Sequence, residues 1–149
     1  MRVRELEKLF KSEDTLEEVL DKCKEDFELI DYNANTVLKM NLSSNPEEVK
    51  KTLNELSGAS MNLRPILAIA KTIKKNKELV KYHNLKTDIV NNGKKFVSAS
   101  VEREASAYVK SYRRVRNIIE AYVESADKGI SSLQSILKEL ITEKNSEKE

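Results

Sequence analysis

Fourteen of the 27 lysines and arginines in this chain fall between residues 64 and 116, where only four carboxylates stand among them. That segment carries +10, against −5 over residues 1–63 and −3 over 117–149, so a net charge of only +2 hides a strong asymmetry. The chemistry such a block offers is recognition of anions. Lysine ammonium groups attract phosphate as point charges, and arginine adds a forked pair of donors that fits a phosphate edge and stacks on bases. A lone lysine-rich run is ordinary solvated helix surface. Here the excess spans two arms with acids nearly absent, which predicts a polyanion site whose binding weakens with salt. The candidate contacts are Lys74, Lys75, Lys77, Lys81, Lys86, Lys94, Lys95, Arg103, Lys110, Arg113, Arg114 and Arg116. Tyr82 and Phe96 lie in the same half and offer faces on which single-stranded bases can stack. Tyr108 and Tyr112 fall on an apolar stripe and read instead as core.

Other chemistries find no footing. One histidine, His83, and one cysteine, Cys23, do not build a Cys/His metal site, and His83 lacks the Glu-x-x-His spacing of di-iron bundles. No glycine-rich phosphate loop, nucleophile elbow or isolated carboxylate pair is present. The expectation is a protein that is not an enzyme and has no cofactor or metal. Zipper, helix-turn-helix and zinc-finger spacings are also missing, so sequence-specific reading of duplex DNA is not expected.

The elements that must position these cations are helices. Charged residues make up 35% of the chain, aromatics only 5%, with 3 Gly and 2 Pro, a composition that favours long helices over sheet. A short helix is expected over 1–12. A second, over 14–42, opens on Asp14 and Glu17 as a capping box. Its Leu16, Leu20, Cys23, Phe27, Ile30, Ala34 and Val37 alternate four- and three-residue steps, the heptad pattern of helices that wrap one another. Asn45-Pro46-Glu47-Glu48 starts a third helix over 46–91, with a kink or break near 57–65 at Ser57-Gly58 and Pro65. Asn91-Asn92-Gly93 is the clearest stop.

A helix over 98–142 follows, then a frayed polar tail over 143–149. Its seam runs through Tyr112, Val115, Ile119, Tyr122, Ala126, Ile130, Leu133, Leu137 and Leu140, with a stutter near Gly129 that marks a bend or a close helix approach. The reading is one all-α domain over 1–149, a long antiparallel helical hairpin with an additional long N-terminal helix. Its basic tip lies at 91–100. Coiled-coil-like seams and a small monomeric core point to a homo-oligomer. The lone cysteine, the absence of a signal-peptide run and the absence of a membrane span suggest a cytoplasmic protein.

The stretch Ala107–Leu140, AYVKSYRRVRNIIEAYVESADKGISSLQSILKEL, resembles in its apolar pattern the UvsY-like recombination mediator proteins of T4-type phages. Leu85-Lys86, leading to the Asn-Asn-Gly turn, resembles the basic helix end that contacts DNA in that family. Asp88 stands where the family pattern has a second basic group, so only Lys86 is carried over. The resemblance spans about residues 60–140. It implies an oligomeric accessory protein that binds single-stranded DNA and loads a RecA-like recombinase onto strands held by a single-strand-binding protein, in the host cytoplasm if phage-encoded. Two other readings share the helical seams: a phage packaging or scaffold protein of the small-terminase type, and a coiled-coil adaptor with no nucleic-acid role.

Overall fold

Two of the helix starts, at Ser12 and at Asn45, can be traced to a side chain that takes up an orphan backbone N–H. A computed structural model of the chain describes residues 3–147, and among these every regular element is helical. α1 covers Val3–Leu9, and a single 3-10 turn covers Glu13–Thr15. α2 (Leu16–Lys39), α3 (Pro46–Asn91), α4 (Ser98–Tyr108) and α5 (Lys110–Glu147) follow. The cap before α2 is Ser12, not Asp14: its Oγ accepts the Asp14 N–H at 3.3 Å, and Asp14 itself lies inside the 3-10 turn. Thr15 secures the turn by donating its hydroxyl to the carbonyls of Leu9 and Ser12. α2 stops at Lys39, short of the expected 42, because Asn41 turns the chain. Its Oδ1 accepts the Ser43 N–H at 2.8 Å, a local bond that competes with the helix ladder. Asn45 caps α3 by accepting the Glu47 N–H at 3.0 Å, with Pro46 at the first helical position.

A kink or break was expected near 57–65; α3 is not broken there and runs continuously past Gly58 and Pro65. Pro65 and the preceding-turn residue Met61 are both exposed, so the carbonyl left without its donor faces water. Leu63, Ile66, Leu67 and Ala70 are buried on either side of the proline, and that burial holds the helix together. α3 ends in a Schellman motif: Gly93, at φ +68°, donates to the Val90 carbonyl, and Lys94 donates back to Ile89, both at 3.1 Å.

The last helix, expected as one piece over 98–142, is two. Val109, at φ −99° and ψ 19°, interrupts the ladder between α4 and α5. Arg113 compensates from the next turn. Its Nη2 donates to the Ser106 carbonyl at 2.9 Å and to the Ser106 hydroxyl at 2.5 Å. The interruption moves the apolar stripe by one residue, so Val109 is fully buried and Tyr108, expected in the core, is 52% exposed. At the far end α5 stays helical through Glu147, where fraying was expected from 143. The first two residues of the expected 1–12 helix and the last two of the expected tail lie outside the described residues.

The chain divides into two units. The first comprises Met1–Asp21 and Ile66–Ile118. Within it α3 lies antiparallel to α4 and the start of α5, as the pairs Lys77/Tyr112, Lys81/Tyr108 and Lys86/Phe96 show. Leu6, Phe10, Leu67, Val101, Ala105, Val109 and Val115 are buried there.

The second unit comprises Lys22–Pro65 and Ile119–Glu149 and is a three-helix arrangement. α3 is antiparallel to α2, through Asn33 Nδ2 to Glu55 Oε2 at 3.0 Å and Asn62 Nδ2 to Asp26 Oδ1 at 3.2 Å. It is antiparallel to α5 through Arg64 and Ser60, both donating to Asp127. α2 and α5 run parallel, with the Phe27 and Tyr122 rings stacked at 4.1 Å and the Tyr122 hydroxyl donating to Asp31 at 2.8 Å. The ring's burial, and after it the bond to Asp31, raise the Tyr122 pKa. A Cβ added at Gly129 would meet Leu56 at 2.9 Å and Val37 at 3.8 Å, so the stutter position is a close approach of α5 to both neighbours.

Of the expected α5 seam, Tyr112, Val115, Ile119, Ala126 and Leu133 are buried, whereas Tyr122, Ile130, Leu137 and Leu140 are half-buried. Val123 takes the core position expected for Tyr122, whose ring sits at the edge against Phe27. In α2 the core position expected for Ala34 belongs to Asn33. Its amide donates to the Leu29 carbonyl as well as to Glu55, which satisfies both of its hydrogens.

Candidate nucleic-acid interface

The two units differ in charge. The first holds 17 Lys/Arg against 11 Asp/Glu, a net of +6, and the second 10 against 14, a net of −4. The excess on the basic unit is smaller than the +10 of its central segment because the acidic N-terminal stretch folds onto it. Arg114 donates to Glu17 at 2.5 Å, and the Lys77 ammonium donates to the Lys11 carbonyl at 3.1 Å. Arg114 is therefore already paired, although the pair is exposed and so weakly held.

Three lysines of α3 lie over aromatic rings carried by the returning chain. Lys77 Nζ is 5.0 Å from the Tyr112 centroid, Lys81 Nζ 4.8 Å from Tyr108 and Lys86 Nζ 5.1 Å from Phe96. Phe96 in turn meets the Tyr82 ring edge-on at 6.2 Å, and Tyr82 meets His83 edge-on at 5.7 Å. Antiparallel pairing explains the first two, since the four-residue step from Lys77 to Lys81 along α3 matches the four-residue step back from Tyr112 to Tyr108, and Phe96 in the loop before α4 meets Lys86 farther on. A cation over an exposed ring is held by only about 0.5–1 kcal/mol. Lys81 over the exposed Tyr108 and the exposed Lys86 over Phe96 are available to a stronger anionic partner, whereas Lys77 lies over the buried Tyr112 and donates to Lys11.

The remaining expected contacts divide into two groups. Lys75, Lys94, Lys95 and Lys110 are exposed, with Lys94 and Lys95 following directly on the Gly93 turn. Lys74 is paired with Glu78 at 2.7 Å, both side chains well covered, and Arg103 donates to the Ala99 carbonyl of its own helix at 3.3 Å. Arg116 donates to Asn117 Oδ1 through Nε and Nη2. Arg113 uses its Nη2 on Ser106 at the α4–α5 joint. The structure thus brings Lys86, Lys94, Lys95 and Phe96 to the turn end of the hairpin, pairs Lys81 with Tyr108 about 15 Å back along α3, and engages Lys74 and Arg113 within the fold. Pairing of Lys81 with Tyr108 was missed because the Val109 interruption is not written in the apolar spacing. The matching steps Lys77–Lys81 and Tyr108–Tyr112 were the one signal that would have revealed it.

Among the described residues no group of three or more His, Cys, Asp or Glu side chains is placed to hold a metal ion, and no helix is long and apolar enough to cross a membrane. Cys23 is fully buried, and burial with Asp26 nearby pushes its thiol up to about 12. It is an apolar core residue, not a nucleophile. No family model, curated protein or solved structure matches this chain.

Proposed function

We propose that this chain is a non-enzymatic accessory protein that binds single-stranded nucleic acid through the turn end of its basic unit. The observation that carries this reading is the set of weakly held lysine–ring pairs, above all Lys81 over the half-exposed Tyr108, on the same hairpin as the exposed Lys94 and Lys95. Binding is an exchange. An unstacked base takes the ring face, the displaced ammonium takes the adjoining phosphate, and both groups trade a weak partner for a stronger one. A duplex keeps its bases stacked inside and has no use for the rings, which favours a single strand.

Self-association multiplies several such weak contacts, so a homo-oligomer with clustered turn ends is part of the proposal. The half-buried Ile130, Leu137 and Leu140 supply apolar surface for it. The role closest to these properties is that of a recombination mediator, which holds strands while a RecA-like recombinase displaces a single-strand-binding protein. The acidic unit offers a contact surface for a basic protein partner.

Labelled single- and double-stranded oligonucleotides, titrated at two salt concentrations, test the reading. Tight and salt-sensitive preference for single strands supports it. Preference for duplex favours a packaging role instead, and no binding at low salt removes nucleic acid from the account.

A further inference from the structure

A second stripe of α3, separate from the one that carries Lys77 and Lys81, lines a groove of about 590 Å³ with α4 and the start of α5. Its two ends differ. Lys75 and Arg116 are cationic at one end, while Tyr82 and the exposed carboxylate of Glu102 stand at the other. Lys75 and Tyr82 are seven residues apart on one helix, about 10 Å along its axis. Between them Leu79 forms an apolar wall, and the carboxylate of Glu78 is neutralised by Lys74 at 2.7 Å, so the middle of the groove does not repel an anion. Arg116 uses Nε and Nη2 on Asn117 and keeps further guanidinium donors for a second acceptor.

An aromatic face and a carboxylate towards one end of a groove, joined by an apolar wall to a pair of cations at the other, match the parts of a nucleotide. We infer that this groove takes one nucleotide whose base bears an exocyclic amine, with the base on Tyr82, the amine donating to Glu102 and the phosphate on Lys75 and Arg116. The inference rests on the nucleic-acid reading above and adds a base preference to it. Glu102 is the specificity-determining residue. A carboxylate only accepts, cytosine and adenine present an amine at the position where thymine presents a carbonyl oxygen, and thymine at this carboxylate leaves two acceptors facing each other. The base must be unstacked to reach Tyr82, so the ligand is a single strand or a free nucleotide.

The test is binding of labelled oligo-dC, oligo-dA and oligo-dT of equal length to the full chain at low salt, with dCTP as competitor. The wild-type chain is expected to hold dC and dA about tenfold more tightly than dT. Glu102→Gln, whose amide also donates, should lose that preference by gaining dT affinity. Tyr82→Leu should weaken all three by roughly tenfold, with helix content by circular dichroism unchanged in both variants. With the dC preference present in the wild type and lost in Glu102→Gln, displacement of labelled oligo-dC by dCTP assigns the groove to a free nucleotide, and displacement by unlabelled oligo-dC but not by dCTP assigns it to a strand; either supports the inference. Equal affinity for dC and dT, untouched by Glu102→Gln, overturns it while leaving the nucleic-acid reading standing. Failure of every oligonucleotide to bind overturns both.

Discussion

Gly58 and Cys23 show how far a single residue's role depends on what surrounds it. Gly58 lies inside α3, and a Cβ built on it meets nothing within 4 Å. Its flexibility serves no close contact and only weakens the helix. Gly58→Ala should therefore raise unfolding stability by about 0.5–1 kcal/mol, read from the urea midpoint at unchanged slope. A loss of stability would mean that the helix is bent there in a way alanine does not tolerate. Gly129, equally glycine and equally helical, is the opposite case. The 2.9 Å approach to the buried Leu56 leaves no room, so Gly129→Val should cost about 1–3 kcal/mol through overpacking.

The Cys23 thiol stays protonated in the folded chain up to about pH 12, whereas in the unfolded chain it ionises at its ordinary, lower value. The unfolded state therefore loses a proton first. Stability from this group is complete below the ordinary thiol value and declines as pH rises from there toward 12. Replacing Cys23 with Ala should flatten that alkaline decline relative to wild type. A thiol reagent should label Cys23 only after denaturation. Rapid labelling of the native chain would show that the α2 core opens.

At the scale of the element, the joint between α4 and α5 depends on one side chain. Arg113→Ala removes two donors from Ser106 at a point where the helix ladder is already interrupted, which should cost about 1–3 kcal/mol. It should also speed amide exchange around residues 109–113. Arg114→Ala, which breaks only an exposed pair with Glu17, should cost well under 1 kcal/mol. Equal losses for the two would remove the special role given to Arg113.

The helices themselves were legible in the sequence wherever a side chain closes them. Asn45-Pro46 opens α3, and Asn92-Gly93 shuts it, because caps and left-handed turns have few residue types that satisfy them. What was not legible is where tertiary burial overrides local preference. α3 continues through Pro65 because apolar residues on both sides are buried. Asn33 replaces Ala34 in the core because Glu55, far along the chain, completes its hydrogen bonds. The candidate site was legible as a count of charges and as the aromatic pair Tyr82 and Phe96. The lysine–ring pairing and the Glu17–Arg114 contact were not, since both depend on the register between distant helices and on the fold of the N-terminal stretch.

For the whole molecule, the governing feature is the difference between a unit of +6 and a unit of −4. A field of that kind draws an anionic strand to one unit and away from the other, and its reach shortens as salt rises. The most direct test is the slope of log affinity against log salt for a labelled single-stranded oligonucleotide, measured for the wild-type chain and for Lys94→Glu/Lys95→Glu. Each phosphate neutralised on a single strand contributes about −0.7 to the slope. The four cations Lys81, Lys86, Lys94 and Lys95 predict a wild-type slope near −3 on that scale, and the double variant should bind more weakly with a slope shallower by about 1.4. A slope near zero, or one that the double variant leaves unchanged, would contradict the assignment of the turn end as the binding surface.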